Sequence, residues 1–249
     1  VKIALLSDVH ANLRAWQACL AHARAQGATR FALLGDYVGY GAEPGAVIDG
    51  VRALVADGAI AIGGNHDQMA VHPPATTERQ GQLSAAWTHA QLDAAQLDFL
   101  AALPLTHVED QRMLVHASAD APERWRYADE PAVAEASLRA VAARGVRHLF
   151  VGHVHQQLLF FRGADGRIAR FTPTPGVAVP VPPHRQWLAT VGSVGQPRDG
   201  DPRAMYALFD VTAQRLRFHR VAYDHLAAAA AIRAAGLDPF FADRLERGE

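Results

Sequence analysis

The side chains able to do chemistry fall in five short runs: Ser7-Asp8-Val9-His10, Gly35-Asp36-Tyr37-Val38, Gly63-Gly64-Asn65-His66-Asp67, Val115-His116 and Gly152-His153-Val154-His155. Each follows an apolar segment that reads as a strand, so each falls at a strand's C-terminal end. In an α/β sheet that edge is where loops converge on a ligand while the strands hold them rigidly. Asp8 and His10, like His153 and His155, are two positions apart. In extended chain such pairs leave on the same side. Gly35, Gly64 and Gly152 permit tight turns beside them. Imidazole and carboxylate together suit divalent Mn, Fe, Zn or Ni, with Mn favoured, whereas an all-oxygen set would suit Mg or Ca. The seven candidates Asp8, His10, Asp36, Asn65, His116, His153 and His155 exceed what one tetrahedral ion needs. Two divalent ions sharing a carboxylate use them all. Such a pair, roughly 3.5–4 Å apart with a hydroxide between, is a device for in-line attack on phosphorus.

Taken in order, the series D-x-H, G-D, G-N-H-D, H and G-H-x-H resembles the calcineurin-like metallophosphoesterase superfamily over residues 1–155. The run Val191-Gly-Ser-Val-Gly-Gln-Pro-Arg198 is similar to a segment of its compact bacterial phosphodiesterase branch. The resemblance implies a four-layer αββα sandwich of two mixed β-sheets flanked by helices. It also implies that Asp8, His10 and His155 hold one metal, that Asn65, His116 and His153 hold the second, and that Asp36 bridges them. By the same resemblance His66 is the catalytic residue, not a ligand, and faces the leaving group to stabilise charge or donate a proton. Its ordinary pKa near 6.5 suits that work. Direct attack, with no covalent enzyme intermediate, is expected from the same resemblance.

The sequence departs from the protein-phosphatase branch of that superfamily, where the second motif continues with an Asp and an Arg. Here Gly39 and Tyr40 stand in those places, and the GNHE of that branch is GNHD. The motif's arginine clamp on phosphate is therefore missing, which favours a diester, with one charge and two ester arms, over a monoester. Three other residues are candidate substrate contacts. Arg198 is either a phosphate grip or a surface turn residue; Asn12 touches substrate or caps a helix; Tyr37, with Tyr40, walls the pocket or packs against loops. The alternatives on the same site are a phosphomonoesterase, a nucleotide or dinucleoside-polyphosphate hydrolase, or a non-catalytic metal-binding scaffold.

The elements that must position these residues alternate in the first two-thirds of the chain. Strands read at 1–6, 31–34, 59–62, 112–115 and 148–151; helices read at 13–23, 44–54, 84–90, 93–103 and 131–144. Beyond residue 155 strands dominate, at 158–161, 167–171, 187–191, 205–210 and 215–221, with hairpin turns at Ala-Asp-Gly (164–166) and Thr-Ala-Gln (212–214). Pro173 to Pro183 reads as a loop, and 226–235 as an Ala-rich helix stopped by Gly236. No repeat or disordered linker divides residues 1–249, which read as a single domain.

The chain's 249 residues are 50% hydrophobic, enough for a sizeable core. With 24 basic against 25 acidic residues the net charge is −1, without the basicity that nucleic-acid or anionic-membrane binding uses. A nuclease of the same superfamily would carry a basic groove, and a small phosphate ester is the expected partner; no oligomeric state is implied. One cysteine, Cys19, excludes an internal disulfide and fits a reducing compartment, so the cytoplasm is expected. The apolar start is broken by Asp8, too early for a signal peptide or a spanning helix. Cys19 lies on a helix's apolar face as a packing residue, and the histidines outside the motifs, including His148 and His219, read as surface or capping residues.

Overall fold

A computed structural model of the chain describes residues 1–77, 80–163 and 165–249. The strands are β1 (Lys2–Leu6), β2 (Arg30–Leu33), β3 (Ile60–Ala61), β4 (Thr106–Glu109), β5 (Arg112–Val115) and β6 (His148–Val151). After these come β7 (Gln157–Arg162), β8 (Ile168–Phe171), β9 (Ala178–Pro180), β10 (Trp187–Val191), β11 (Ala204–Asp210) and β12 (Arg215–Val221). Helices are α1 (Leu13–Ala25), α2 (Pro44–Ala56), α3 (Asn65–Val71), α4 (Gln80–Leu83), α5 (Ala85–Gln91), α6 (Ala94–Ala101), α7 (Pro131–Ala142), α8 (His225–Ala234) and α9 (Pro239–Arg247).

β1 explains the layering. Its side chains alternate between two apolar environments: Ile3 and Leu5 join Phe150, Leu159, Phe209 and Phe218 between the sheets, while Ala4 and Leu6 join Trp16, Leu20, Ile48 and Val51 under α1 and α2. A strand covered on both faces is a continuous apolar run, which is what Ile3–Leu6 is. β7 and β10 behave the same way on the other side, where Phe160 and Leu188 pack with Leu138 and Val141 of α7. The result is the αββα sandwich: two mixed six-stranded sheets, ordered β3-β2-β1-β11-β12-β9 and β4-β5-β6-β10-β7-β8. In each, three strands run parallel (β3, β2, β1 and β5, β6, β10), and their C-terminal ends meet at one edge of the sandwich. Phe209→Ala, in the shared core, should cost about 3–5 kcal/mol of unfolding free energy, read from urea melts.

The structure adds to and corrects the sequence reading. Gly-Asn-His-Asp is not only a strand-end loop: Asn65 opens α3, and Asp67 accepts a hydrogen bond from the Gly64 N–H, 2.9 Å away, as the third helical residue of a capped turn does. The proline-rich loop contains an edge strand, β9, with Pro180 opposite Arg215, a position where no ladder donor is required. The tail carries a second helix, α9, that packs with α8 around Phe241. Of the two hairpin turns, Asp210 Oδ1 accepts from the N–H groups of Thr212 and Ala213, while Ala164 of the other lies outside the described residues. Cys19 is buried, as expected, and burial pushes its thiol up. Among the described residues no helix is long and apolar enough to cross a membrane.

His148 and His219 are buried rather than exposed. The His219 ring stacks on Tyr206 with centroids 4.7 Å apart, and burial, then His22 and Arg217, lower its pKa to about 4. Between that value and the ordinary 6.5 the unfolded chain binds a proton the folded chain refuses. Stability should therefore fall as pH drops from about 6.5 to about 4, by roughly 2 kcal/mol after solvent screening. His219→Phe should flatten that slope in urea melts run across the window; an unchanged slope would reject the assignment.

Candidate metal centre

The five motif loops meet beyond the C-terminal ends of β1, β2, β3, β5 and β6. They are zipped together by backbone bonds: Asp8 N–H to the Gly35 carbonyl (3.0 Å), His10 N–H to that of Asp36 (3.0 Å) and Gly152 N–H to that of His116 (3.0 Å). The segment after β10 braces them, with the Ser193 hydroxyl donating to the Asp8 carbonyl at 2.8 Å and the Gly195 N–H at 2.9 Å. Gly195 is required by that approach, since a Cβ there would lie 1.8 Å from the Val9 carbonyl oxygen.

The local geometry of the paired motifs differs from the expectation. Asp8, His10, Asp36, His153 and His155 all have left-handed backbone, with φ between 50° and 65°, so the Asp-x-His and His-x-His pairs are not extended. Turning the chain through the left-handed region at each chemical residue aims successive side chains inward; Asp and His tolerate this better than branched residues, at a cost the surrounding bonds must offset.

Three groups of donor atoms converge: Asp8, His10 and His155; His10, Asp36 and His66; and Asp36, His116 and His153, each within 4.8 Å. His155 Nε2 lies 3.1 Å from His10 Nε2 and 3.1 Å from Asp8 Oδ1. Asp36 Oδ2 lies 3.3 Å from His116 Nε2 and 3.9 Å from His10 Nε2, and so stands between the outer groups. The far nitrogen of three rings is fixed by a carbonyl: Nδ1–H donates from His10 to Val38 (3.0 Å), from His116 to Leu34 (2.7 Å) and from His155 to Gln196 (2.5 Å). A carbonyl only accepts, so Nδ1 carries a hydrogen and Nε2 is the nitrogen left for a cation, directly in a neutral ring or after loss of its proton.

The electrostatics agree. Burial works to raise the Asp36 carboxyl, but the His116 and His66 imidazoles hold it well below the usual range; Asp8 is lowered likewise, against burial, by His155 and His116. Burial, then neighbouring imidazoles, keeps His10 neutral, and burial with His116 lowers His153 to about 3. Burial opposes protonation of His116, yet Asp36 and Asp8 push it up to about 10, so a cation taking its Nε2 displaces a proton. Asp8 Oδ1, Asp36 Oδ2, Asn65 Oδ1 and His116 Nε2 are buried without a hydrogen-bond partner among the described residues. Buried polar atoms are normally paired, and three of these, Asp8 Oδ1, Asp36 Oδ2 and His116 Nε2, lie within 4.0 Å of one another through His116, as divalent-cation ligands do without their ion.

The family model described as the calcineurin-like phosphoesterase superfamily domain matches residues 1–214. The chain belongs to this superfamily. It is 31% identical over 228 residues, 89% of this chain and 88% of the relative, to protein MJ0912 of Methanocaldococcus jannaschii. The crystal structure of a metallophosphoesterase from Sphaerobacter thermophilus is 35% identical and superposes with a TM-score of 0.88 over 100% of this chain and 99% of that one. The hypothetical protein PH1004 from Pyrococcus horikoshii shares the fold, at 20% identity and a TM-score of 0.76 over 100% and 98% of the two chains. As a calcineurin-like phosphoesterase with this His/Asp cluster, the protein is a metal-dependent phosphoester hydrolase that uses divalent ions.

Around that centre the remaining candidates separate. Tyr37 does not reach it: the ring is fully buried in the helix-side core, and its hydroxyl donates toward the carbonyls of Leu33 (3.0 Å) and Ile62 (2.8 Å). Tyr40 is the tyrosine of the site, with its ring 4.4 Å from that of His66 and 4.6 Å from that of His10. Left-handed turns at Asp36, Gly39 and Tyr40 make that choice, which spacing alone cannot. Asn12 is occupied structurally. It caps α1 by accepting from the Ala15 N–H, and it donates to the Gly195 carbonyl (3.0 Å) and the Tyr223 hydroxyl (3.1 Å). Arg198 lies beside the site, with its guanidinium 5.9 Å over the Tyr40 ring. Sequence reasoning missed Trp125 and Tyr127, in the loop after β5; the Tyr127 ring stacks on His153 at 4.1 Å and is 48% exposed.

His66 stands against Tyr40 and edge-on to His10, and burial, then His155 and Arg198 against Asp36, lowers its pKa to about 4. Asp67 does not orient that ring. Its carboxylate accepts from the N–H groups of Asp36 (2.8 Å), Tyr37 (2.8 Å) and Gly64 (2.9 Å), clamping the second motif to the third. Asp67→Asn turns one acceptor into a donor facing an N–H, and should lower kcat about 10- to 100-fold with unchanged far-UV circular dichroism. Unaltered kcat would remove the clamp from the account.

Proposed function

We propose that the protein is a dinuclear phosphodiesterase acting on small phosphate diesters. The observation that carries the reading is the meeting of three unpartnered buried atoms, Asp8 Oδ1, Asp36 Oδ2 and His116 Nε2, the last within 4.0 Å of both carboxylates. Asp8, His10 and His155 would hold one ion, Asn65, His116 and His153 the other, with Asp36 shared; the mixed nitrogen and oxygen donors suit Mn first, then Fe, Zn or Ni. When bound, such a pair supplies charge neutralisation on the phosphoryl oxygens and an ionised water as nucleophile. His66, in the first turn of α3, faces the leaving oxygen and hydrogen-bonds the charge that develops there. No side-chain nucleophile is needed, so hydrolysis should invert configuration at phosphorus.

Diester preference rests on two features. The second motif presents Tyr40 where a phosphatase's arginine would bind a dianion, and Tyr40 and Tyr127 give the mouth aromatic walls for an ester arm. Arg198 would contact the substrate from the rim. With Mn, kcat/KM for bis(p-nitrophenyl) phosphate should exceed that for p-nitrophenyl phosphate by about tenfold or more. Faster monoester turnover would reverse the assignment in favour of a phosphomonoesterase. The balanced charge favours a small substrate over nucleic acid, and the reduced, buried Cys19 accords with the cytoplasm.

A further inference from the structure

Two arginines flank the aromatic wall of the metal centre, Arg198 directly over Tyr40 and Arg244 on the helix whose Phe241 packs on that ring. Arg198 follows His155 closely in space: its N–H donates to the His155 carbonyl at 3.2 Å, and its Nη2 donates to Gln196 Oε1 at 2.8 Å. Its Nε is buried without a partner among the described residues. Arg244 comes from α9, which sequence reading did not find. Phe241, one turn earlier on that helix, packs on the Tyr40 ring at 5.1 Å, the same ring that Arg198 covers. The loop after Arg198 is tied to the end of the helix by the Gly200 N–H bonding to the Gly248 carbonyl, 2.9 Å. Arg244 lies over Phe240 at 5.3 Å and donates from Nε to the Glu249 carbonyl at 2.7 Å, which leaves its two terminal nitrogens without a described partner.

Both arginines are half-buried, and neither forms an ion pair with a carboxylate side chain among the described residues. Elsewhere on this protein arginines are commonly paired, as Arg30 is with Glu109 and Arg220 with Asp199. Burial, and after it the Arg198 charge, lowers the pKa of Arg244, while Tyr40 and Glu249 act the other way. Half-buried guanidinium groups without a side-chain ion pair, near a reaction centre for anions, suit an anion.

We propose that Arg244, with Arg198, receives a second phosphoryl group of the substrate, so that the enzyme selects phosphodiesters in which one ester arm carries a further phosphate. This rests on the phosphodiesterase reading and assigns its specificity. Arg198, beside His155, reaches toward the phosphorus under attack, while Arg244, on α9, meets the added phosphate. Arg244 is thus a specificity-determining residue that acts on substrate binding.

The matched probes are the p-nitrophenyl ester of thymidine 5′-phosphate and the same ester bearing a 3′-phosphate, which share the attacked phosphorus and the leaving group. Wild-type enzyme with Mn should prefer the 3′-phosphorylated ester by about 10- to 100-fold in kcat/KM, almost all of it in KM. Arg244→Gln, which keeps the stem over Phe240, should collapse that ratio to within about threefold. Arg247→Gln, at an exposed position farther along α9, should preserve it. In calorimetry the Kd ratio of thymidine 5′-phosphate to thymidine 3′,5′-bisphosphate should follow the same pattern. A wild-type ratio near one, or a ratio that survives both Arg244→Gln and Arg244→Ala, overturns the inference. Inactivity toward both esters and toward bis(p-nitrophenyl) phosphate instead defeats the phosphodiesterase reading, and the calorimetric ratio then judges the two-anion site by itself.

Discussion

Asp36→Asn should abolish nearly all activity, lowering kcat/KM by roughly a thousandfold or more with Mn present. The position is sensitive because the carboxylate does two jobs. Oδ1 accepts from the His66 N–H at 2.8 Å, fixing the start of α3, while Oδ2 stands between His116 and His10 with no bond of its own. An asparagine preserves the shape and can still accept from His66, but it removes the charge that lies 3.3 Å from His116 Nε2 of one donor group and 3.9 Å from His10 Nε2 of another. The fold should survive, with unchanged circular dichroism. What should disappear is the stabilisation by metal: wild-type protein gains about 2.7 kcal/mol when free Mn stands at 100 times its Kd, and the variant should gain far less at the same concentration. Retained activity together with retained metal stabilisation would remove Asp36 from the centre.

His66→Ala should show a loss that depends on the leaving group. For an alkoxide-like leaving oxygen the expected decrease in kcat is about 10²–10⁴-fold, whereas p-nitrophenolate, which leaves without help, should lose less than about tenfold. The ring's placement supports this division of labour. It is held by Tyr40 and by its backbone bond to Asp36, yet among the described residues no carbonyl fixes its far nitrogen as one does for His10, His116 and His155. A uniform loss across leaving groups would make His66 a structural neighbour of the ions instead.

The sequence made the centre legible because its residues are of rare types and fall at strand ends in a fixed order. Asp8, His10, Asp36, His116, His153 and His155 all enter convergent groups, and the Oδ1 of Asn65 is buried without a partner among the described residues. Strands such as His148–Val151 and Trp187–Val191 were legible for a related reason, since both faces are covered and all but His148 and Thr190 are apolar. What periodicity could not carry is local turning. The left-handed φ values at the chemical residues reverse the rule that alternate side chains share a side, and so Tyr37 was an equal candidate with Tyr40. Asn12 gave a helix-cap signal and a substrate signal at once; its three bonds all go to the protein. Short elements escaped too. α3 is seven residues, and β9 is three residues held by pairing with a distant strand. Arg244 and Tyr127 had no signal at all, because ordinary surface residue types reach the mouth only through tertiary packing.

The measurement closest to the central claim is the number of transition-metal ions held per chain. Protein loaded with Mn, freed of excess by gel filtration and assayed by plasma mass spectrometry, should carry two ions per chain, falling to one or fewer in Asp36→Asn. Wild-type protein that binds none, or binds the same number as the variant, would contradict the account.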